Sequence, residues 1–137
     1  MVEARLIWQE GLQFEARTPS GHAFRLDSAH QGMGAGPSPM ELVLVALGGC
    51  TGMDVISILQ KQRQPVTGLE VVVQAERADE HPKVYTGYEV TYIVHGKGVD
   101  PKAVERAVNL SAEKYCSVGL MLEKAAPIRR SIRLVEE

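Results

Sequence analysis

Cysteine is scarce in this sequence, which has only two, Cys50 and Cys116, among 137 residues. Neither belongs to a Cys-x-x-Cys pair, and the four histidines are scattered, so the ligand spacing of a zinc site is absent. The N-terminus lacks the basic flank and apolar core of a signal peptide. We therefore expect a cytoplasmic protein with reduced thiols, no bound metal and no other cofactor.

An excess of charge of one sign is also missing, because 15 Lys and Arg oppose 17 Asp and Glu. No basic block suited to a nucleic acid or an anionic membrane surface is present. The uncharged run 42–53 is bounded by Glu41 and Asp54, and it is shorter than the roughly 20 apolar residues of a membrane span. We expect no nucleic-acid partner and no membrane partner.

The composition that remains is that of a globular protein, with 45% hydrophobic and 23% charged residues. The length fits a single domain over residues 1–137. Hydrophobic periodicity and turn residues predict an α+β fold with an N-terminal antiparallel meander, a long central helix and a later hairpin. The predicted elements are strands at 4–9, 12–17 and 22–27, a helix at 39–63, strands at 69–75 and 85–95, a helix that begins at Asp100-Pro101, a short helix at 118–124 and a last strand at 128–135.

The long central helix has a clear start and an apolar body. Ser38 suits the N-cap, Pro39 the first helical position, and Glu41 completes a Ser-x-x-Glu capping box. Residues 42–53 are apolar on nearly every side, which is typical of a helix buried all round. One small sheet covers only one side of such a helix, so we predict a homodimer in which the second chain supplies the other cover.

Gly48, Gly49 and Cys50 stand in the middle of this helix. A glycine inside a helix costs up to about 1 kcal/mol relative to alanine, so the pair is expected to let another backbone approach or to leave space beside the thiol. Close packing around a buried, inert cysteine is the alternative. Asp54 lies on the same helical face as Cys50 and could mark a polar cleft. Its charge would raise the pKa of the thiol rather than activate it.

Cys116 precedes a short helix, where backbone amides and the helix dipole favour a thiolate. On this local argument Cys116 is the better nucleophile, and the alternative is a small core residue. Glu41 could hold an arginine or a substrate, although its capping role explains it without a function. The loop Gly32-Met33-Gly34-Ala35-Gly36 could cradle a phosphate, but Pro37 takes the place of the third glycine of that pattern.

Two stretches of the sequence resemble the OsmC/Ohr family of thiol proteins: GPSPMELVLVALGGCTGMDVISIL around Cys50 and SAEKYCSVGLML around Cys116. The order of predicted elements fits the same family. The resemblance implies an intertwined homodimer and the reduction of organic hydroperoxides. It implies that Cys50 is the attacking thiol, that it becomes a sulfenic acid, and that Cys116 condenses with it to a disulfide that a dithiol reduces. This order reverses the one from local physics.

The sequence departs from the peroxidase branches of that family at two places. Met40 stands where those branches have a glutamate, and Glu41 comes one residue later. Phe14 lies near the place of an N-terminal arginine that supports the thiolate in those branches, and Arg17 and Arg25 are the candidate substitutes. The sequence is thus similar to an OsmC-like branch that lacks part of the activating set.

Three interpretations remain open from the sequence. The first is a cysteine-based hydroperoxide reductase that uses Cys50 and Cys116. The second is a non-catalytic module that binds a small hydrophobic or thiol ligand, or a redox sensor, and Met40 favours it. The third is a stable fold with two structural cysteines.

Overall fold

The structure, a computed structural model, describes all 137 residues, which form two compact units, residues 1–43 and 44–137. The predicted α+β class is confirmed, with two three-stranded sheets and three α-helices. The single domain stays a prediction. The elements are β1 Arg5–Glu10, β2 Gln13–Arg17, β3 Ala23–Leu26, α1 Pro39–Lys61, β4 Gly68–Arg77, β5 Tyr85–His95, α2 Pro101–Leu110, α3 Ser117–Leu122 and β6 Ile128–Val135.

The first unit contains the predicted antiparallel meander, in the order β1-β2-β3. Cross-strand partners such as Trp8 with Phe14 and Ala16 with Phe24 put apolar side chains on one face. Gly11, with a φ of 54°, forms the tight turn between β1 and β2. Trp8 and Phe24 stay 62% and 40% exposed, so this sheet presents an apolar surface.

The loop that follows β3 is organised around the buried carboxylate of Asp27. The backbone amides of Ser28, Met33 and Ala35 donate to its two oxygens over 2.7, 2.9 and 3.1 Å. These bonds, with that from Ala35 the largest, outweigh burial and lower the pKa of Asp27 from its ordinary value. The Met33 and Ala35 amides lie in the loop that could cradle a phosphate, and they donate to the Asp27 carboxylate instead.

The predicted capping box of α1 is confirmed. The Ser38 amide donates to Oε2 of Glu41 over 2.7 Å, and the Glu41 amide donates to Oγ of Ser38 over 3.3 Å. The helix ends at Lys61 rather than at the predicted Arg63. The reason is that Arg63 adopts a left-handed backbone with a φ of 55°, which terminates a helix.

Within one chain α1 is buried along a single line, at Leu47, Thr51, Val55 and Leu59. Other apolar positions are open, and Val45 and Met53 are 64% and 73% exposed. Burial on all sides, as predicted from the sequence, is therefore not reached by one chain alone. The length and apolar composition of α1 also meet the criteria for a membrane-spanning helix. The core helices of soluble proteins meet the same criteria.

The sheet of the second unit has the order β4-β5-β6. The predicted hairpin of β4 and β5 is confirmed, and β6 pairs with β5 in parallel. The parallel pairing requires a crossover, which consists of α2, a π-helical turn at Ser111–Tyr115 and α3. On β5 the side chains of one face are buried; they are Tyr88, Val90, Tyr92 and Val94. The predicted start of α2 at Asp100-Pro101 is also confirmed, and the Asp100 side chain caps the helix by accepting from the Lys102 amide.

Candidate functional site

The second unit brings the two cysteines together. Cys50 lies on α1 and is half-buried, whereas Cys116 is fully buried at the start of α3. Both are free thiols, and they are near enough for Cys50 to raise the pKa of Cys116. The arrangement therefore pairs one thiol that is partly exposed to solvent with a neighbouring thiol that is buried.

The π-helical turn after α2 sets the position of Cys116. The Cys116 amide donates to the Ser111 carbonyl five residues earlier over 2.8 Å, which gives one wide helical turn. Cys116 then caps α3, with its Sγ accepting from the Gly119 amide over 3.3 Å. This turn was not predicted from the sequence, and it places Ser111 and Cys116 at the site together.

Burial raises the pKa of the Cys116 thiol to about 11. The Gly119 amide lowers this pKa, the neighbouring Cys50 thiol raises it, and the charge of Arg130 lowers it. The local argument that made Cys116 the better nucleophile is therefore wrong. A helix start favours a thiolate, but here the loss of solvation outweighs it, and Cys116 is a neutral thiol near neutral pH.

A chain of hydroxyl groups runs beside the two thiols. Nη1 of Arg130 lies 2.6 Å from the Tyr92 hydroxyl and 3.3 Å from Oγ1 of Thr51. Oγ1 of Thr51 lies 2.7 Å from the Tyr92 hydroxyl and 2.8 Å from Oγ of Ser111. Oγ of Ser111 in turn donates to Oδ2 of Asp54 over 2.9 Å. Strand β6, strand β5, helix α1 and the π-helical turn thus share one network.

Each hydroxyl carries only one hydrogen, and this fact determines which group donates in each hydrogen bond of the network. Ser111 uses its hydrogen on the Asp54 carboxylate, so Thr51 must donate to Ser111. Thr51 then has no hydrogen left for Tyr92, so the Tyr92 hydroxyl donates to Thr51. The hydrogen bonds therefore all point one way, from the guanidinium of Arg130 to the carboxylate of Asp54.

The other terminal nitrogen of Arg130 is unusual. Nη2 is buried and has no hydrogen-bond partner. A Cβ atom added at Gly119 would lie 3.0 Å from this Nη2 and 3.1 Å from Sγ of Cys116. The missing side chain of Gly119 therefore leaves open the space that borders both the guanidinium and the thiol.

The supporting residues predicted from the sequence, Asp54, Glu41 and Met40, lie at different positions along α1. Asp54 ends the hydroxyl chain at Ser111, which accounts for a charged residue on this helix. Glu41 uses its carboxylate in the capping box, and Met40 lies beside it in the first turn of α1. No group of three or more His, Cys, Asp and Glu side chains could hold a metal ion.

The cation beside the thiols was missed by sequence reasoning. Of the two candidate substitutes, Arg17 pairs with Glu15 over 2.6 Å and Arg25 donates to Gln13 over 3.0 Å, all within the first unit. Arg130 comes from the last strand and acts on Cys116, and a role for Arg17 or Arg25 beside Cys50 stays a prediction. A signal was available, because Arg130 alternates with Ile128, Ile132 and Leu134 on the more apolar face of β6.

Comparison with known proteins points to one family. Residues 32–130 match the family model described as OsmC-like protein. The chain is 50% identical over 134 residues to protein YhfA of Escherichia coli K12, with 98% of each chain covered. A solved structure of a hypothetical protein from Aquifex aeolicus VF5 is 35% identical, with a TM-score of 0.88 over 100% of this chain and 98% of that one. The organic hydroperoxide resistance protein OhrB of Bacillus subtilis shares the fold, at 14% identity and a TM-score of 0.65 over 97% and 98% of the chains.

Proposed function

We propose that this chain, which belongs to the OsmC-like family, is a thiol-dependent redox protein that reduces organic hydroperoxides. The observation that carries the proposal is the pair of neighbouring free thiols, of which Cys50 is half-buried and Cys116 is fully buried. The shared fold with OhrB of Bacillus subtilis supports the hydroperoxide as substrate class.

The proposed first step takes place at Cys50, since it is the more accessible thiol. Its thiolate attacks the terminal oxygen of the hydroperoxide, the O–O bond breaks, and the alkoxide leaves and takes a proton to give an alcohol. Cys50 is now a sulfenic acid. The substrate is reduced by one electron pair, which the sulfur has supplied.

The second step uses Cys116, which lies behind Cys50. Its sulfur attacks the Cys50 sulfur, an S–S bond forms, and the departing hydroxide combines with the proton lost by Cys116 to give water. An external dithiol then reduces the disulfide and is itself oxidised to a disulfide. Burial suits this role, because Cys116 has to meet only a sulfur that is already its neighbour.

The homodimer and the cellular location are part of the same proposal. The open apolar positions of α1 and of the first sheet suit cover by a second copy of the chain. The active protein is then a cytoplasmic homodimer whose partners are a hydroperoxide and a dithiol, without a nucleic acid or a membrane.

A turnover assay tests the proposed activity. Cumene hydroperoxide should be consumed catalytically in the presence of dithiothreitol or dihydrolipoamide, and Cys50→Ser should abolish the consumption. Cys116→Ser should still react once with peroxide but should turn over more slowly, since no internal disulfide forms. Equal rates for the parent and for Cys50→Ser would rule the proposal out.

A redox sensor is the second candidate function. The observation that favours it is the raised pKa of Cys116, about 11, together with a Glu41 carboxylate that is committed to the capping box. A thiol pair of this kind suits slow oxidation. Stoichiometric disulfide formation without turnover under saturating dithiol would favour the sensor over the enzyme.

A further inference from the structure

We propose that Arg130 is the charge partner of the Cys116 thiolate, held by one half of its guanidinium so that the other half is free for the sulfur. The role of Arg130 in peroxide turnover rests on the function proposed above. The interaction between Arg130 and Cys116 does not, and it can be measured without any peroxide.

One half of the guanidinium is fixed in place. Nη1 has two acceptors, the hydroxyls of Tyr92 and Thr51. Because the hydrogen bonds run in one direction to the Asp54 carboxylate, every hydroxyl in the chain offers its lone pairs toward Arg130. The network therefore orients the guanidinium and gives its charge a distant counter-ion instead of a direct ion pair.

The other half of the guanidinium has no partner. Nη2 is buried without an acceptor, a costly state for a cationic donor. Gly119 keeps the space around it clear, because a Cβ there would press on both Nη2 and Sγ of Cys116. An unpaired donor of this kind suits an acceptor that exists during only part of a reaction, and a thiolate is such an acceptor.

The ionisable groups around this point are few. They are Cys50 and Cys116 themselves, Arg130, the Tyr92 phenol that accepts from Arg130, and Asp54 at the far end of the hydroxyl chain. The neighbouring Arg129 is on the other face of β6, where it is exposed and pairs with Glu89 over 2.7 Å. Arg130 is thus the cation that acts on Cys116, and Arg129 is a matched control beside it.

The proposed role applies to both directions of the thiol chemistry. When Cys116 condenses with the Cys50 sulfenic acid, the S–H proton leaves and Arg130 stabilises the negative sulfur before the S–S bond forms. When an external dithiol attacks the Cys50 sulfur of the disulfide, the S–S bond breaks and its electron pair goes to Cys116. Arg130 stabilises that leaving thiolate as well.

The test uses the full chain with Cys50→Ser, so that Cys116 is the only thiol. Cysteine labelled with ¹³C at Cβ gives one signal, whose shift reports the thiol–thiolate titration by NMR as the pH is raised from neutral. The compared variants are Arg130→Gln, Arg130→Lys and Arg129→Gln, each in this background. Circular dichroism at each pH verifies that the fold is present.

Arg130→Gln is expected to raise the pKa of Cys116 by about one unit, which is about tenfold less thiolate at a given pH. Arg130→Lys should recover part of the shift, and Arg129→Gln should leave the titration unchanged. A pKa of Cys116 that is the same with Gln as with Arg at position 130 would overturn the proposal.

A second variant decides the matter if Arg130→Gln does not fold. Gly119→Ala adds a methyl group at the point where Nη2 and Sγ approach, and the flexible guanidinium end is the part that moves. The pKa of Cys116 should then rise in the same direction. An unchanged titration in Gly119→Ala with Arg130→Gln unfolded would contradict the proposal. The pKa of Cys116 is measured without peroxide, so a loss of peroxide turnover bears on the proposed function and not on the interaction between Arg130 and Cys116.

Discussion

At the scale of single residues, the hydroxyl of Thr51 is the point where the long helix, the second sheet and the π-helical turn meet. It is fully buried, and it accepts from Tyr92 and Arg130 and donates to Ser111. Because Thr51 follows Cys50 directly, the network that orders the polar groups also fixes the helix turn that carries the accessible thiol.

Thr51→Val keeps the shape of this side chain and removes the hydroxyl. We expect the free energy of unfolding to fall by about 1–3 kcal/mol, since the buried hydroxyls of Tyr92 and Ser111 each lose a partner. Chemical denaturation at neutral pH measures the change. The control is Thr91→Val, whose hydroxyl meets Ser131 at the surface and should change stability by less than about 0.5 kcal/mol. Equal stabilities for the two variants would show that the network is not important for folding.

Some residues of the candidate site could be identified from the sequence, and others could not. Cys50, Cys116 and Asp54 could be selected from the sequence because thiols and a charge on an apolar helix are rare. The pairing of Asp54 with Ser111 could not, because it depends on a π-helical turn with no sequence signal. Arg130 lies far along the chain, and only the parallel pairing of β6 with β5 brings it to the helix.

At the scale of elements, the glycines of α1 have different surroundings. A Cβ on Gly48 would lie 3.0 Å from Cγ2 of Val73, and one on Gly52 would lie 3.2 Å from Cγ2 of Val71. A Cβ on Gly49 would meet nothing within 4 Å. Close approach of α1 to β4 therefore depends on Gly48 and Gly52, whereas Gly49 has open space beside it.

Gly48→Ala and Gly49→Ala form a matched pair on this helix. Both gain helix propensity of up to about 1 kcal/mol. Only Gly48→Ala presses on Val73, whose β-branched side chain has little rotamer freedom, and overpacking costs about 1–3 kcal/mol. Gly48→Ala should therefore be the less stable variant in thermal or urea unfolding. Equal stabilities of Gly48→Ala and Gly49→Ala would contradict a close contact between Gly48 and Val73.

The loop built on Asp27 gives a dependence on pH. Its folded pKa is lower than its unfolded pKa, so its contribution to stability is present above the unfolded pKa and is lost as pH falls through the folded pKa. Asp27→Asn should be less stable than the parent at neutral pH, with a gap that closes in acid. Urea unfolding across this range measures the gap, and Asp79→Asn, at an exposed turn, serves as the control. A gap that is constant with pH would contradict the charge argument.

Most elements were predictable because their signals are local. Caps, prolines and period-two or helical spacing gave the strands and helices to within a few residues, as at Asp100 and Ser38. Strand order is a different matter, since the sequence did not indicate that β6 joins β5 in parallel. Pairing across a long crossover depends on tertiary packing, which local propensity does not encode.

At the scale of the whole molecule, large apolar side chains stay open on more than one element. They include Leu6, Trp8, Phe14, Phe24, Val45 and Met53. Soluble monomers rarely leave extended apolar patches exposed, which is the physical ground for the proposed homodimer.

Analytical ultracentrifugation at micromolar concentration should therefore detect a dimer. Val45→Glu puts a charge on the open side of α1 and should shift the protein toward monomer or toward aggregation. Glu105→Lys, on the exposed side of α2, should leave the dimer intact. A stable monomeric parent at the same concentration would exclude the dimer.

The proposed redox pairing of Cys50 with Cys116 is tested by the intact mass of the chain after reaction with one equivalent of cumene hydroperoxide. The predicted product is lighter than the reduced chain by one pair of hydrogens, regains them with dithiothreitol, and yields a linked peptide containing both cysteines. Cys50→Ser should keep its mass under the same conditions. A parent chain that keeps both thiols, or that adds oxygen at Cys50 without ever linking to Cys116, would contradict the account.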